Sequence, residues 1–169
     1  MSSAGRVQIR QADPADAPVL AWIESICFPP AEAAGPEQTA ARLAAFPECF
    51  LEAVCGGEII GFINGCCTMQ PELPDILYAD AGLHRPDGPW QTVFGLDVLP
   101  DFRRQGTGRL LLDSLTSLAR ARGKAGLVLT CKDHLVSWYS RAGFVCRGRS
   151  ASTHGGAVWN DMILDFAAL

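Results

Sequence analysis

Short alternating runs and longer stretches with helical spacing take turns along this chain, and proline or glycine marks most of the borders between them. Val7 to Gln11 alternates well enough for a first strand. Asp13 is a good N-cap with Pro14 at the first helical position, opening a helix through about Cys27. Val19, Leu20, Ile23, Ile26 and Cys27 recur along it at helical spacing. Phe28-Pro29-Pro30 ends this helix, since paired prolines exclude further turns. A small-residue stretch, Ala31 to Gly35, leads to a second helix around Pro36 to Ala45. Phe50 to Val54 and Ile59 to Cys67 predict two antiparallel strands across a Gly56-Gly57 turn. Residues 70 to 90, rich in Pro, Asp and Gly, form a long excursion with a short helix near Ile76 to Asp80.

A strand near Gln91 to Val98 comes next, then a glycine turn and a helix from Gly108 to about Arg122. On that helix Leu111, Leu115 and Leu118 form one stripe with Leu112 beside it, and Gly123 closes it as a C-cap residue. Ala125 to Thr130 is a buried strand, and His134 to Arg141 is a short helix stopped by Gly143. Phe144 to Arg149 and Val158 to Leu164 supply the last strands. The order β-α-α-β-β-β-α-β-α-β-β gives an α/β (α+β) domain with a mixed sheet, not a regular doubly wound one.

Composition narrows the function classes. A hydrophobic fraction of 49% with 19% charged residues is that of an ordinary globule, and 169 residues suit one domain with its core at about 7–166. A net charge of −4 and a pI near 5.3 exclude nucleic-acid binding through a basic surface. The seven cysteines contain no Cys-x-x-Cys pair and no paired histidines accompany them, so they read as buried small hydrophobes in a reducing compartment, with no metal. Met1 to Arg10 lacks an apolar core and no stretch approaches spanning length, so no membrane role and a cytoplasmic location are expected.

Against that acidic background the segment from Leu96 to Arg109 stands out. A β-prone run ends at Val98, Pro100 breaks it, and Arg103-Arg104-Gln105-Gly106-Thr107-Gly108 leads straight into the Leu-rich helix. Strand, glycine turn and helix start make a site for a diphosphate. The glycines let backbone approach closely, the first helical N–H groups point outward, and the helix dipole favours negative charge. Arg103, Arg104 and Arg109 add positive charge around it.

Arg103 to Gly108 resembles the acetyl-coenzyme A signature of the GNAT superfamily of N-acetyltransferases, Q/R-x-x-G-x-G/A. Ser137 to Phe144 is similar to that family's FY-x-x-x-GF segment, in the expected order and one helix and one strand downstream. Within the superfamily, the serotonin (arylalkylamine) N-acetyltransferases and their bacterial relatives share further pieces with this chain. Leu83-His84-Arg85 with Gly88 and Cys131-Lys132-Asp133 with Leu135-Val136 carry that likeness. The resemblance implies a three-layer domain whose central, mostly antiparallel sheet is flanked by helices, and a V-shaped opening that holds the thioester. It implies acetyl-CoA as cosubstrate, with the amides of Leu96 and Val98 (Asp97 between them) on the pantetheine arm and Gln105 to Arg109 on the pyrophosphate. One departure matters. Where the animal enzyme has two strand histidines that relay the amine proton, this chain has Thr92 and Phe94.

The chemistry expected is direct attack of a neutral amine on a positioned thioester. Tyr139 is the candidate general acid for the departing sulfur, its alternative being a core tyrosine packed with Trp138 and Phe144. The base is open between His84, Glu32 in the segment after Phe28-Pro29-Pro30, and water. Phe28, Phe94 and Trp90 are candidates to line an apolar acceptor pocket. Asp97, of opposite parity to Thr92 and Phe94 on one strand, faces away from them. The expected function is acetyl transfer to a primary amine of a small molecule, by a monomer or homodimer. The alternatives are a protein N-terminus or lysine as acceptor, or a coenzyme A-binding sensor without turnover.

Overall fold

Local chemistry sets the first helix. Asp13 Oδ1 accepts the Ala15 N–H at 2.8 Å while Asp16 Oδ2 accepts the Asp13 N–H at 3.1 Å, a reciprocal cap on a short 3-10 turn over Pro14–Asp16. The computed structural model describes residues 5–168. In chain order its elements are β1 (Gln8–Gln11), α1 (Ala17–Cys27), α2 (Pro36–Ala45), β2 (Phe50–Cys55), β3 (Glu58–Asn64), β4 (Cys67–Thr68), α3 (Asp75–Ala79), β5 (Trp90–Val93), β6 (Gly95–Val98), α4 (Thr107–Ala121), β7 (Gly126–Cys131), α5 (Val136–Arg141), β8 (Val145–Arg149) and β9 (Asn160–Asp165). The mixed α/β class expected from the sequence is what forms, with two sheets and the β5–β7 pair as the parallel one among otherwise antiparallel pairs.

The described residues form two compact units, one of residues 5–64 together with Gly95–Leu115, the other of Gly65–Phe94 and residues 116–168. In the first, an antiparallel sheet of order β1-β2-β3-β6 carries α1 against β3 and β6. Its core is built on Leu20, Ile23, Leu43 and the rings of Phe46, Phe50 and Phe62, the last two stacked at 6.3 Å. Val19, Trp22 and Ile26 lie on the opposite, exposed side of α1, so two of the residues in its apolar stripe do not enter the core. Both faces of this helix are apolar, and periodicity alone does not choose between them.

The second unit is a sheet of order β4-β5-β7-β9-β8 around Leu127, Leu129, Met162 and Leu164. Gly126 is required there, because a β-carbon would stand 2.0 Å from the Leu164 carbonyl oxygen. α4 has Leu111, Leu112, Leu115 and Ala119 buried and Leu118 half-buried, and Gly123 (φ +73°) takes the left-handed C-cap position.

Two expected strands are each divided. Ile59 to Cys67 becomes β3 and β4, and Gln91 to Val98 becomes β5 and β6, with the halves in different sheets. The division orphans the carbonyls of Gly65 and Cys66, and buried polar side chains restore their partners. Gln91 Nε2 donates to Gly65 O at 2.9 Å, while Thr92 gives both its N–H (2.8 Å) and its hydroxyl (2.9 Å) to Cys66 O. That is why polar residues occupy the two most buried positions of β5.

Candidate functional site

The segment from β6 to α4 has an open strand edge and a helix start with free amides. β6 is the edge strand of its sheet and pairs with β3 alone. Leu99 N–H donates to Ile60 O at 2.8 Å, so odd-numbered residues turn their backbone groups toward β3. Leu96 and Val98 therefore present theirs at the open edge, where an extended ligand can add as a further strand. Val98 O is already used, accepting from Arg103 Nε at 2.9 Å and from Cys27 Sγ at 3.5 Å.

After Pro100–Phe102 the chain passes through two left-handed residues, Arg104 (φ 59°) and Gly106 (φ +85°), and enters α4 at Thr107. The helical ladder starts with Leu110 N–H donating to Gly106 O at 2.9 Å, which leaves the amides of Gly106 to Arg109 directed out of the helix mouth. A β-carbon on Gly106 would meet nothing within 4 Å, so the space over this turn is open. The three arginines are not equivalent. Arg103 is folded back on the strand end, Arg109 Nε pairs with Asp113 Oδ1 at 2.9 Å, and Arg104 stands exposed. Gln105 Nε2 reaches Asp101 O at 3.3 Å and steadies the turn from within.

The other residues singled out from the sequence fall as follows. In the first unit, Phe28 ends α1 half-buried, and Glu32 is half-buried on a turn whose N–H bonds Pro29 O at 2.9 Å. Asp97 is fully buried on β6. In the second unit, His84 Nδ1 accepts the Cys67 N–H at 3.0 Å, which places the proton of the neutral ring on Nε2. Thr92 is fully buried with its hydroxyl on Cys66 O, and the Phe94 ring lies 4.9 Å from that of Tyr78. Tyr139 is buried on α5, its ring set edge-on to Trp138 (4.9 Å) and Phe144 (5.6 Å), with Gly143 (φ +98°) making the turn that brings Phe144 back. Burial pushes the Cys131 thiol up to about 11, so it stays protonated in the neutral range.

Sequence reasoning passed over three polar residues. Glu24, Arg42 and Asn64 are all at least nine-tenths buried in the first unit, near Asp97. Glu24 had a signal: it shares the buried face of α1 with Leu20, Ala21 and Ile23, and a carboxylate in an apolar stripe calls for a partner.

Comparison with known proteins bears on the family and the fold. A family model described as the acetyltransferase (GNAT) family matches residues 17–144. Serotonin N-acetyltransferase of Mesocricetus auratus is 32% identical over 107 residues, which cover 63% of this chain and 50% of the relative. The chain spans about half the length of the curated relatives it matches. Among solved structures, the loading GNATL domain of CurA from Lyngbya majuscula superposes with a TM-score of 0.82 at 14% identity, covering 97% of this chain and all of that one (100%). A GNAT family acetyltransferase from Brucella melitensis, in complex with acetyl-CoA, gives 0.62 at 19% identity, covering 96% and 89%. At such identities these structures speak for the fold alone. Because the family match runs through most of the sequence, this chain belongs to the acetyltransferase (GNAT) family.

Proposed function

We propose that this protein transfers the acetyl group of acetyl-CoA to a primary amine of a small molecule. The observation that carries the reading is the pairing of an open strand edge with an open helix mouth. Leu96 and Val98 offer backbone groups along β6, and Gly106 to Arg109 offer amides at the start of α4. In this account the first set holds the pantetheine arm and the second the diphosphate, with Arg104 as the exposed cation beside it.

For the transfer, the amine nitrogen bonds to the thioester carbon as the carbon–sulfur bond breaks. Tyr139 gives its phenolic proton to the departing sulfur, and water takes the proton released by the amine. Phe28 and Phe94 supply apolar contact to the acceptor and Glu32 attracts its charge. The buried hydroxyl of Thr92, committed to Cys66 O, is left to hold β5 in place. All seven cysteines are free thiols, which supports a cytoplasmic site of action. Among the described residues no helix is long and apolar enough to cross a membrane.

Steady-state release of coenzyme A thiol with a panel of small amines, peptides and lysine derivatives tests the reading. Release with small amines supports it, and release with peptides alone moves the acceptor to a protein. Binding of acetyl-CoA without release for any acceptor overturns it.

A further inference from the structure

Three buried polar side chains of the first unit converge near Gly95, and the transfer chemistry above uses none of them. The point where a β-carbon of Gly95 would stand lies 2.9 Å from Asp97 Oδ1, 3.3 Å from Glu24 Oε1 and 3.8 Å from Asn64 Nδ2. These groups arrive from β6, α1 and β3, with Arg42 of α2 buried nearby. Neither oxygen of Asp97 has a hydrogen-bond donor, and the same holds for Glu24 Oε1 and Asn64 Oδ1. So many orphaned acceptors in one place require an explanation.

A single proton accounts for two of the four. Two carboxylates this close and this dry do not both stay ionised. Burial first, and then the Glu24 charge, hold Asp97 well above the usual carboxylate range, with Arg42 opposing. One proton on the pair turns one acid into a donor and the other into its acceptor, so Glu24 Oε1 and an Asp97 oxygen are satisfied together.

The pair is also placed to matter. Glu24 Oε2 accepts the Ala34 N–H at 3.4 Å, near the end of the segment that carries Phe28 and Glu32. Asp97 sits between Leu96 and Val98 on β6. We propose that Glu24 and Asp97 hold one proton in common and act as a positioning pair, fixing the segment 28–36 to β6 so that acceptor contacts and edge amides keep a set spacing. The acceptor half of this statement rests on the acetyltransferase reading. Cys27 on α1 and Arg42 on α2 also face the pair, and burial raises the Cys27 thiol so that it stays neutral through the neutral range.

Asp97→Asn provides an N–H where the shared proton stood and cannot release it. In the wild type, stability to denaturant falls as pH rises from about 4 toward the ionisation of the pair, because the unfolded chain gives up a proton that the folded chain retains. Asp97→Asn lessens that fall, Glu24→Gln does the same from the other side, and Cys27→Ala leaves it in place. Hydrogen exchange reads the positioning. Glu24→Ala speeds exchange of the Ala34 amide about tenfold and Glu24→Gln restores slow exchange. Glu24→Ala also raises the acceptor KM about tenfold while the acetyl-CoA Kd stays within about twofold. The proposal is overturned if both amide variants keep the wild-type pH dependence, if Cys27→Ala abolishes it, or if Glu24→Ala leaves Ala34 exchange unchanged. Stability and exchange need no turnover. A wild type that acetylates nothing would therefore remove the acetyltransferase reading without touching the shared proton.

Discussion

Replacing Gly106 with alanine separates the cofactor role of the α4 turn from its role in folding. Gly106 has φ +85° and its added β-carbon would touch no protein atom within 4 Å. The folding cost is therefore backbone strain alone, about 1–2 kcal/mol for a non-glycine residue held left-handed. Gly123, at the other end of the same helix, is a matched control: φ is +73° and its β-carbon also meets nothing. The 15 residues of α4 put about 22 Å between the two ends. Both variants should lose a similar 1–2 kcal/mol in urea denaturation, roughly what the strain predicts. Only Gly106→Ala places a methyl group where the diphosphate approaches the amides, and it should weaken acetyl-CoA binding at least about tenfold, or some 1.4 kcal/mol. Titration calorimetry with acetyl-CoA measures this directly. Equal affinities for the two variants would refute the assignment of the diphosphate to this turn.

Three further outcomes follow from particular residues. Tyr139→Phe keeps the ring packing with Trp138 and Phe144 and removes only the hydroxyl, so turnover should fall roughly ten- to a thousandfold with acetyl-CoA affinity nearly unchanged, and wild-type turnover would reject the acid role. Thr92→Val removes a buried donor from Cys66 O, which still receives the Thr92 N–H at 2.8 Å; stability should drop by about 1 kcal/mol, while a raised acceptor KM would return Thr92 to the acceptor site. Burial pushes the Glu52 carboxyl up to about 7 despite its 2.6 Å bond from Arg10, so the stability it contributes is full in acid and lost as pH rises through about 7. Urea denaturation at pH 5 and pH 8 should show Glu52→Gln with the smaller difference of the two proteins, roughly as this linkage requires.

Punctuation residues made most of the fold readable before any coordinates. Asp13 with Pro14, Pro36 and Gly123 act within a few residues of themselves, and the helices they bound lie where the pattern puts them. The run from Gln91 to Val98 was not divisible by inspection, because nothing local interrupts it; the break at Phe94 is set by which distant strand each half pairs with. Asp97 shows the consequence: parity counted along one unbroken strand does not survive such a break. The arginine cluster was visible as charge, yet the tie from Arg103 to Val98 O depends on how the turn winds back. Glu24 and Asp97 come from elements far apart in sequence, so their meeting over Gly95 has no local signature, and only the oddity of an acid in the stripe of α1 hinted at it.

The central claim is that the amides opening α4 receive the cofactor diphosphate. Amide chemical shifts of the isotope-labelled protein, followed while acetyl-CoA is added, test it most directly. Gly106, Thr107, Gly108 and Arg109 should show the largest changes, with Leu96 and Val98 next, and desulfo-coenzyme A should reproduce the former set. Saturable binding that leaves the amides of 106–109 unmoved would contradict the account.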